Sequence, residues 1–303
     1  MSSPEGSVKV IVIALCANLG ISAAKFIGAF FTGSAALFAE AIHSLVDSTN
    51  QVLLLIGSKK SKKPASEKHP LGFGREAFFW SFIVAILLFS LGGLFAVYEG
   101  AHKLAEPEAM SSPLVGLGIL IFSLALEGYS FYACLREVQA QNKYGNIWNL
   151  LRRTTASELL VIFTEDTAAL GGLILATISL ILSWLTGDST WDALGSIAVG
   201  LLLVVVAIFL AIEIKSLIIG EAPDTDFRDF ISRRISEVLP GGRLLRLIAL
   251  QIGANEVMIS YKLSPGEVKD VEALIDGINL IERDVKNRFP EIRWQFVEPD
   301  FSP

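Results

Sequence analysis

Within one apolar stretch of the chain, Glu40, His43, Asp47 and Asn50 recur at spacings of three, four and three. In a helix that spacing puts all four on one face. His43 and Asp47, at i and i+4, can bring a neutral imidazole nitrogen and a carboxylate oxygen onto one ion, a donor pair that suits a divalent metal such as zinc. The competing reading is that the two bond each other or hold a neighbouring helix. Glu40, near the end of its stretch, reads as a solvated residue as readily as a ligand, and Asn50 as a structural amide. A second set, Glu165 and Asp166, is embedded in another apolar stretch, where two adjacent acids are costly unless a cation or donors offset them. Successive helical residues point about 100° apart, so one acid can ligate while the other meets water, a backbone group or a partner side chain. The sequence leaves open which does which. Glu127 is a further ligand, proton-relay or water-contact candidate, and Lys25 either snorkels to an interface or pairs with an acid. Glu99, Glu213 and Lys215 fall near stretch ends and read as interfacial.

The elements that must hold these residues are set by composition. Hydrophobic residues make up 52% of the 303 and charged residues only 18%, with the apolar ones gathered in long blocks. A bilayer core about 30 Å thick needs roughly 20 mainly apolar residues per helix. About six blocks qualify: 8–31, 35–57, 78–101, 114–135, 159–185 and 193–217. The first is too long for a cleaved leader and reads as helix one of the mature protein. Cys16 and Cys134 lie inside such blocks, where a thiol behaves as a small hydrophobe. Lys59, Lys60, Lys62, Lys63, Lys68 and Arg75 follow the second block, and Arg136, Lys143, Arg152 and Arg153 follow the fourth. Positive loops stay inside, so both termini are expected in the cytoplasm, with Trp184 and Trp191 as aromatic belt residues at an outer turn.

After residue 221 the composition becomes mixed and charged. Phe227, Ile231, Ile235 and Val238 recur at helical spacing, and Pro240-Gly241-Gly242 ends that helix. A strand-like run near 247–252 precedes Val257, Ile259, Tyr261 and Leu263, which alternate as a half-buried strand. An amphipathic segment 268–289 and a last alternating run through Ile292, Trp294 and Phe296 follow. The expectation is an α-helical membrane protein with about six transmembrane helices in 1–221, plus a small α+β domain of order α-β-β-α-β in 222–303.

With these residues in view, the chain resembles the cation diffusion facilitators, and among them the zinc transporter nine branch. The likeness is carried by Gly33-Ser34-Ala35-Ala36 leading into Glu40-Ala41-Ile42-His43-Ser44-Leu45-Val46-Asp47, and by His69-Pro70-Leu71-Gly72-Phe73-Gly74-Arg75-Glu76. Glu165-Asp166-Thr167-Ala168-Ala169-Leu170-Gly171 and the exit Lys215-Ser216-Leu217-Ile218-Ile219-Gly220-Glu221 extend it. The resemblance implies a homodimeric antiporter that exchanges a divalent metal for protons, with a transport site on helices two and five and a metallochaperone-like cytoplasmic tail. It places a metal on His43 and Asp47 and on Glu165, Asp166 or both, with Glu127 and Glu40 as weaker candidates. In the family's usual fifth-helix pattern a ligand stands four residues before the acid; here those positions are Val161 and Ile162, which cannot bind metal. The loop metal site of many relatives is reduced to His69, and the tail has neither histidine nor cysteine, so a dimer scaffold is expected there rather than a tight metal sensor.

Zinc leads through the resemblance, while one nitrogen among several oxygens also accepts manganese, cobalt or iron(II). The metal is cargo and no cofactor is expected. The expected partners are metal ions, protons, lipid and a second copy of the chain, with no nucleic acid, in a bacterial inner membrane. A non-transporting metal sensor or scaffold is a second reading. An intramembrane hydrolase using Asp47 and Asp166 is a third, opposed by the histidine one turn from Asp47.

Overall fold

A computed structural model describes residues 4–107, 112–140, 157–223, 227–254 and 256–302. Among the described residues six long helices come first: α1 (Pro4–Thr32), α2 (Ala35–Ser61), α3 (Glu76–Ala105), α4 (Pro113–Ala140), α5 (Ser157–Thr186) and α6 (Thr190–Ile219). Within α3 the stretch Leu88–Leu94 is π-helical. Four stretches, 76–105, 113–132, 160–186 and 190–219, are long and apolar enough on length and composition alone to cross a membrane. At 27 residues α2 is also long enough, but its inward face carries Glu40, His43, Ser44, Ser48 and Asn50, all buried. Polarity there belongs to the buried face, as expected of a helix lining a site rather than lying in water. Of the residues assigned to cytoplasmic loops, Lys143, Arg152 and Arg153 lie outside the described set, as do the side chains of Cys16 and Cys134.

Two compact units divide the chain. One takes α1, α2 to residue 57, α3 from residue 79, α4, α5, and α6 to residue 214; the other takes described residues 58–78 and 215–302. In the first, α3 and α6 meet through small residues. A Cβ at Gly200 would lie 2.7 Å from the Gly93 carbonyl oxygen and from Val97, and one at Gly100 would lie 2.6 Å from the Ala193 carbonyl oxygen. Ser196 Oγ donates to the Ala96 carbonyl at 2.8 Å in the same contact. Without a water-driven hydrophobic effect between helices, close backbone approach and such hydrogen bonds carry the association.

The second unit has the anticipated order: α7 (Phe227–Val238), β1 (Arg243–Gly253), β2 (Glu256–Ser264), α8 (Val271–Arg288) and β3 (Ile292–Pro299). β2 is central, antiparallel to β1 and parallel to β3. Val257, Ile259, Tyr261 and Leu263 turn one face of β2 onto Ile231 and Ile235 of α7 and Ile281 and Val285 of α8. Asp270 caps α8 by accepting from the Ala273 amide at 2.9 Å. The 58–78 segment packs on this sheet: Trp294 Nε1 donates to the Leu71 carbonyl at 3.3 Å, and a Cβ at Gly74 would meet the Ile252 carbonyl oxygen at 2.5 Å. His69 is exposed, and its ring centroid lies 4.5 Å from that of Phe73 with the planes tilted by 55°.

The glycine contacts generate an expectation. Gly200→Leu should push α3 from α6 and lower the thermal midpoint of the detergent-solubilised protein by several degrees, an overpacking cost of about 1–3 kcal/mol. Gly118→Ala, on α4 with nothing within 4 Å of its Cβ position, should leave the midpoint unchanged or raise it. Equal melting of the two variants would remove the close-packing account.

Candidate metal-transport site

α2 is anchored at its start before it presents its polar face. Gly33, with φ +65°, ends α1 in the left-handed conformation that glycine adopts without strain, and its amide donates to the Ala29 carbonyl at 2.8 Å. Ser34 then caps α2, its Oγ accepting from the Leu37 amide at 3.1 Å. Asp192, in the first turn of α6 and fully buried, accepts from Ser34 Oγ at 2.5 Å and from the Ala35 amide at 2.6 Å. A carboxylate at a helix N-terminus meets free amides and the positive end of the dipole. Lys103 of α3 completes the cluster, its Nζ 3.0 Å from Asp192 Oδ2 and also donating to the Gly33 carbonyl. One acid thus fixes the start of α2 to α3 and α6.

Further along, α2 faces α1, α4 and α5 across a small cavity of about 40 Å³. Its walls carry Asp47, Gln51 and Ser44 from α2, Glu165 and Asp166 from α5, and Glu127 and Ser130 from α4, with Asn18 of α1 closing it. That volume is of the order of one or two small solvent or ion centres. Four carboxylates therefore share one cavity in the membrane-spanning unit, and no cationic side chain is among its lining residues. Among the described residues, however, no three histidine, cysteine or carboxylate side chains converge tightly enough to cage a metal.

The anticipated residues divide into those on the cavity and those behind it. Asp47, Glu165, Asp166 and Glu127 are on its wall. Both adjacent acids of α5 reach it, so the choice posed between them does not arise at the level of the wall. Glu165 Oε1 accepts from Asn50 Nδ2 at 2.6 Å, which gives the amide read as structural a role in orienting an acid. His43 is fully buried with Nδ1 3.4 Å from Asp47 Oδ1; neither ring nitrogen makes a hydrogen bond, and the ring is not among the cavity's lining residues. Glu40 corrects the idea of a solvated helix end: it is 0% exposed and its Oε2 is 3.2 Å from Lys25 Nζ. Lys25 in turn is 1% exposed, so it pairs rather than snorkels.

The sequence reading missed Asn18, Ser44, Gln51 and Ser130. Signals for them existed. Gln51 follows Asp47 by four, Ser130 follows Glu127 by three, and Asn18, Ser22 and Lys25 lie four and three apart on α1. Ser22 Oγ donates to the Ala41 carbonyl at 3.2 Å, which turns that face of α1 onto α2.

Comparison with known proteins decides the family. A family model described as the cation efflux transmembrane domain matches residues 11–219, which is most of the chain and takes in the helices that line the cavity. The chain belongs to the cation efflux family. It is 36% identical over 84% of its length to the mouse protein named proton-coupled zinc antiporter SLC30A9, mitochondrial, covering 45% of that protein. Human SLC30A9 is 34% identical over the same shares, and metal tolerance protein C4 of Arabidopsis thaliana is 34% identical over 73% of this chain and 49% of its own. The chain spans about half the length of these curated relatives. Membership makes it an integral membrane protein of a transporter family and sets aside the hydrolase reading.

The Asp192 cluster yields a test of how α2 is held. Asp192→Ala leaves Lys103 as a buried unpaired charge and two donors without an acceptor, so it should cost about 3–5 kcal/mol of stability in detergent. Adding Lys103→Met should recover part of that loss, because the orphaned ammonium goes with it. Additive losses in the double variant would show that the two side chains act independently.

Proposed function

We propose that this cation efflux protein moves a divalent metal ion, zinc first, out of the cytoplasm in exchange for protons, through the cavity between α1, α2, α4 and α5. The observation that carries the reading is the convergence of Asp47, Glu127, Glu165 and Asp166 on one small cavity without a lining cation. Acids are not kept in hydrocarbon without a function or a partner. The cargo enters on the carboxylates, with Asp47, Glu165 and Asp166 as ligands, Glu127 contributing from α4, and His43 adding its nitrogen beside Asp47. Small side-chain rotations bring these donors together around the ion. Glu40 is left out of the set because Lys25 engages one of its oxygens.

Protons compete with the metal for these groups, since carboxylate and imidazole must both be deprotonated to ligate. Zinc is the first cargo on the strength of relatives named as zinc antiporters; manganese, cobalt and iron(II) are competing cargoes of an oxygen-rich site. The 58–78 segment and residues 215–302 form one compact unit, which supports placing the positive α2–α3 connection and the tail on the same side. We assign that side to the cytoplasm of a bacterial inner membrane, with 1–221 as the transport domain and 222–303 as the cytoplasmic domain of a homodimer. Ile248 and Phe296, about half-exposed and flanking Ser260 in one register row on the sheet face away from the helices, give the tail a surface for the subunit contact.

Purified protein in liposomes carrying a zinc dye and a pH dye tests this. Zinc and protons should move in opposite directions, and Asp47→Ala should lower zinc flux at least about tenfold, since removing a ligand leaves the ion under-coordinated. A folded Asp47→Ala variant with undiminished flux would falsify the site. Zinc that binds wild-type protein without crossing the membrane would favour the sensor reading, and flux indifferent to an imposed pH gradient at clamped potential would remove the antiport.

A further inference from the structure

Lys25 and Glu40 form a buried ion pair beside the cavity, and the pair has a direction. Glu40 is 0% exposed, Lys25 is 1% exposed, and Lys25 Nζ lies 3.2 Å from Glu40 Oε2. The ammonium has a second partner, Ser44 Oγ, at 2.7 Å. Ser44 lines the acidic cavity and Glu40 does not. The positive end of the pair therefore faces the cavity through one hydroxyl, and the negative end lies behind it. The recess is shaped for that carboxylate: a Cβ on Gly172 of α5 would collide with Glu40 Oε1, an atom that makes no hydrogen bond. A pair needed only for helix packing has no reason to spend its second partner on a residue of the cavity wall. Replacing such a pair by apolar groups is often neutral for stability, so stability alone does not account for it.

We infer that Lys25 tunes the affinity of the site: its ammonium, held by Glu40 and aimed through Ser44, is a tethered counter-charge that weakens the hold of the acidic cavity on its cation enough for the cation to leave. The inference rests on the cation-efflux reading of the cavity. Four carboxylates around a dication bind well and release slowly, and transport needs both entry and exit. A fixed positive charge nearby acts on a doubly charged ion through a medium of low effective dielectric. It lowers affinity without occupying a ligand position. Glu40 keeps the ammonium from moving into the cavity as a competing cation.

The two charges make opposite predictions, which a structural role would not. In the full-length protein, Lys25→Met should tighten zinc binding by about tenfold, read as a lower Kd by calorimetry and a lower KM for flux, with a reduced maximal rate because release slows. Glu40→Gln should do the reverse, raising Kd and KM, because the ammonium is freed toward the acids. Lys25→Met/Glu40→Gln, which carries no unpaired charge and is the variant least at risk of misfolding, should bind zinc modestly tighter than wild type. Shifts of the two single variants in the same direction, or none in either, would overturn the inference. So would a double variant with wild-type Kd if the single variants fail to fold. Wild-type protein that binds zinc but carries no flux would instead defeat the efflux reading, and the Kd series would still decide the role of Lys25.

Discussion

A charge inside the hydrocarbon of a membrane costs several kcal/mol unless something nearby answers it. The described helices answer their charges in three ways. Lys25 meets Glu40, and Lys103 meets Asp192, as ion pairs in which each member is at most 7% exposed. Glu165 is answered by an amide, from Asn50. Asp47, Glu127 and Asp166 turn toward a shared cavity. The placement of polar residues in this unit follows from that accounting. Asp192 also supplies the acceptor that the first amide of α2 needs, so the same acid that balances Lys103 fixes where α2 begins.

From this constraint comes a division of labour among the helices. Every residue on the wall of the acidic cavity belongs to α1, α2, α4 or α5. α3 and α6 instead approach each other through Gly93, Gly100 and Gly200, where backbone meets backbone and no acid intervenes. The two groups are joined at the start of α2 by the Asp192 cluster. A helix pair held by close-packed glycines tolerates little change in spacing, whereas acid side chains on a cavity wall can change rotamer, which on the efflux reading is how a cation would be received.

The sequence was most legible where the pattern was periodic and least where it depended on a partner elsewhere in the chain. The order of the tail elements was visible in alternation, in the Pro240-Gly241-Gly242 stop and in the amphipathic segment before Pro290, whereas the antiparallel β1/β2 and parallel β2/β3 pairings are seen only in the structure. The sheet's inner face follows from Val257, Ile259, Tyr261 and Leu263. The acids of the cavity were visible because carboxylates are conspicuous among apolar residues. Glu40 was misjudged because the feature that allows its burial, Lys25, lies fifteen residues earlier on another helix, and no local pattern reports such a pairing. The 58–78 segment was read as a basic loop, and its packing under Trp294 had no signal at all in the local sequence. Asn18, Ser44 and Gln51 were overlooked for the opposite reason: each fits an ordinary polar substitution, and only the neighbouring acid makes it informative.

On the efflux reading, the make-up of α5 bears on which ions the cavity would select. Where the resemblance would put a ligand four residues before the acid, this chain has Val161 and Ile162, and both α5 acids reach the cavity wall. The exchange trades a donor one turn away for a second oxygen donor at the same level. Glu127 adds a third helix to the wall, and Asn18, Gln51 and Ser130 add neutral oxygens. On the efflux reading, a donor set dominated by oxygen is harder than one rich in imidazole and discriminates less sharply among zinc, manganese, cobalt and iron(II). A cluster of acids is also more attractive to any dication than a mixed set of neutral ligands. The more acids a site collects, the more it needs a compensating charge if the ion is to be released, and the Lys25 ammonium, bonded to Ser44 on that wall, is placed to supply one.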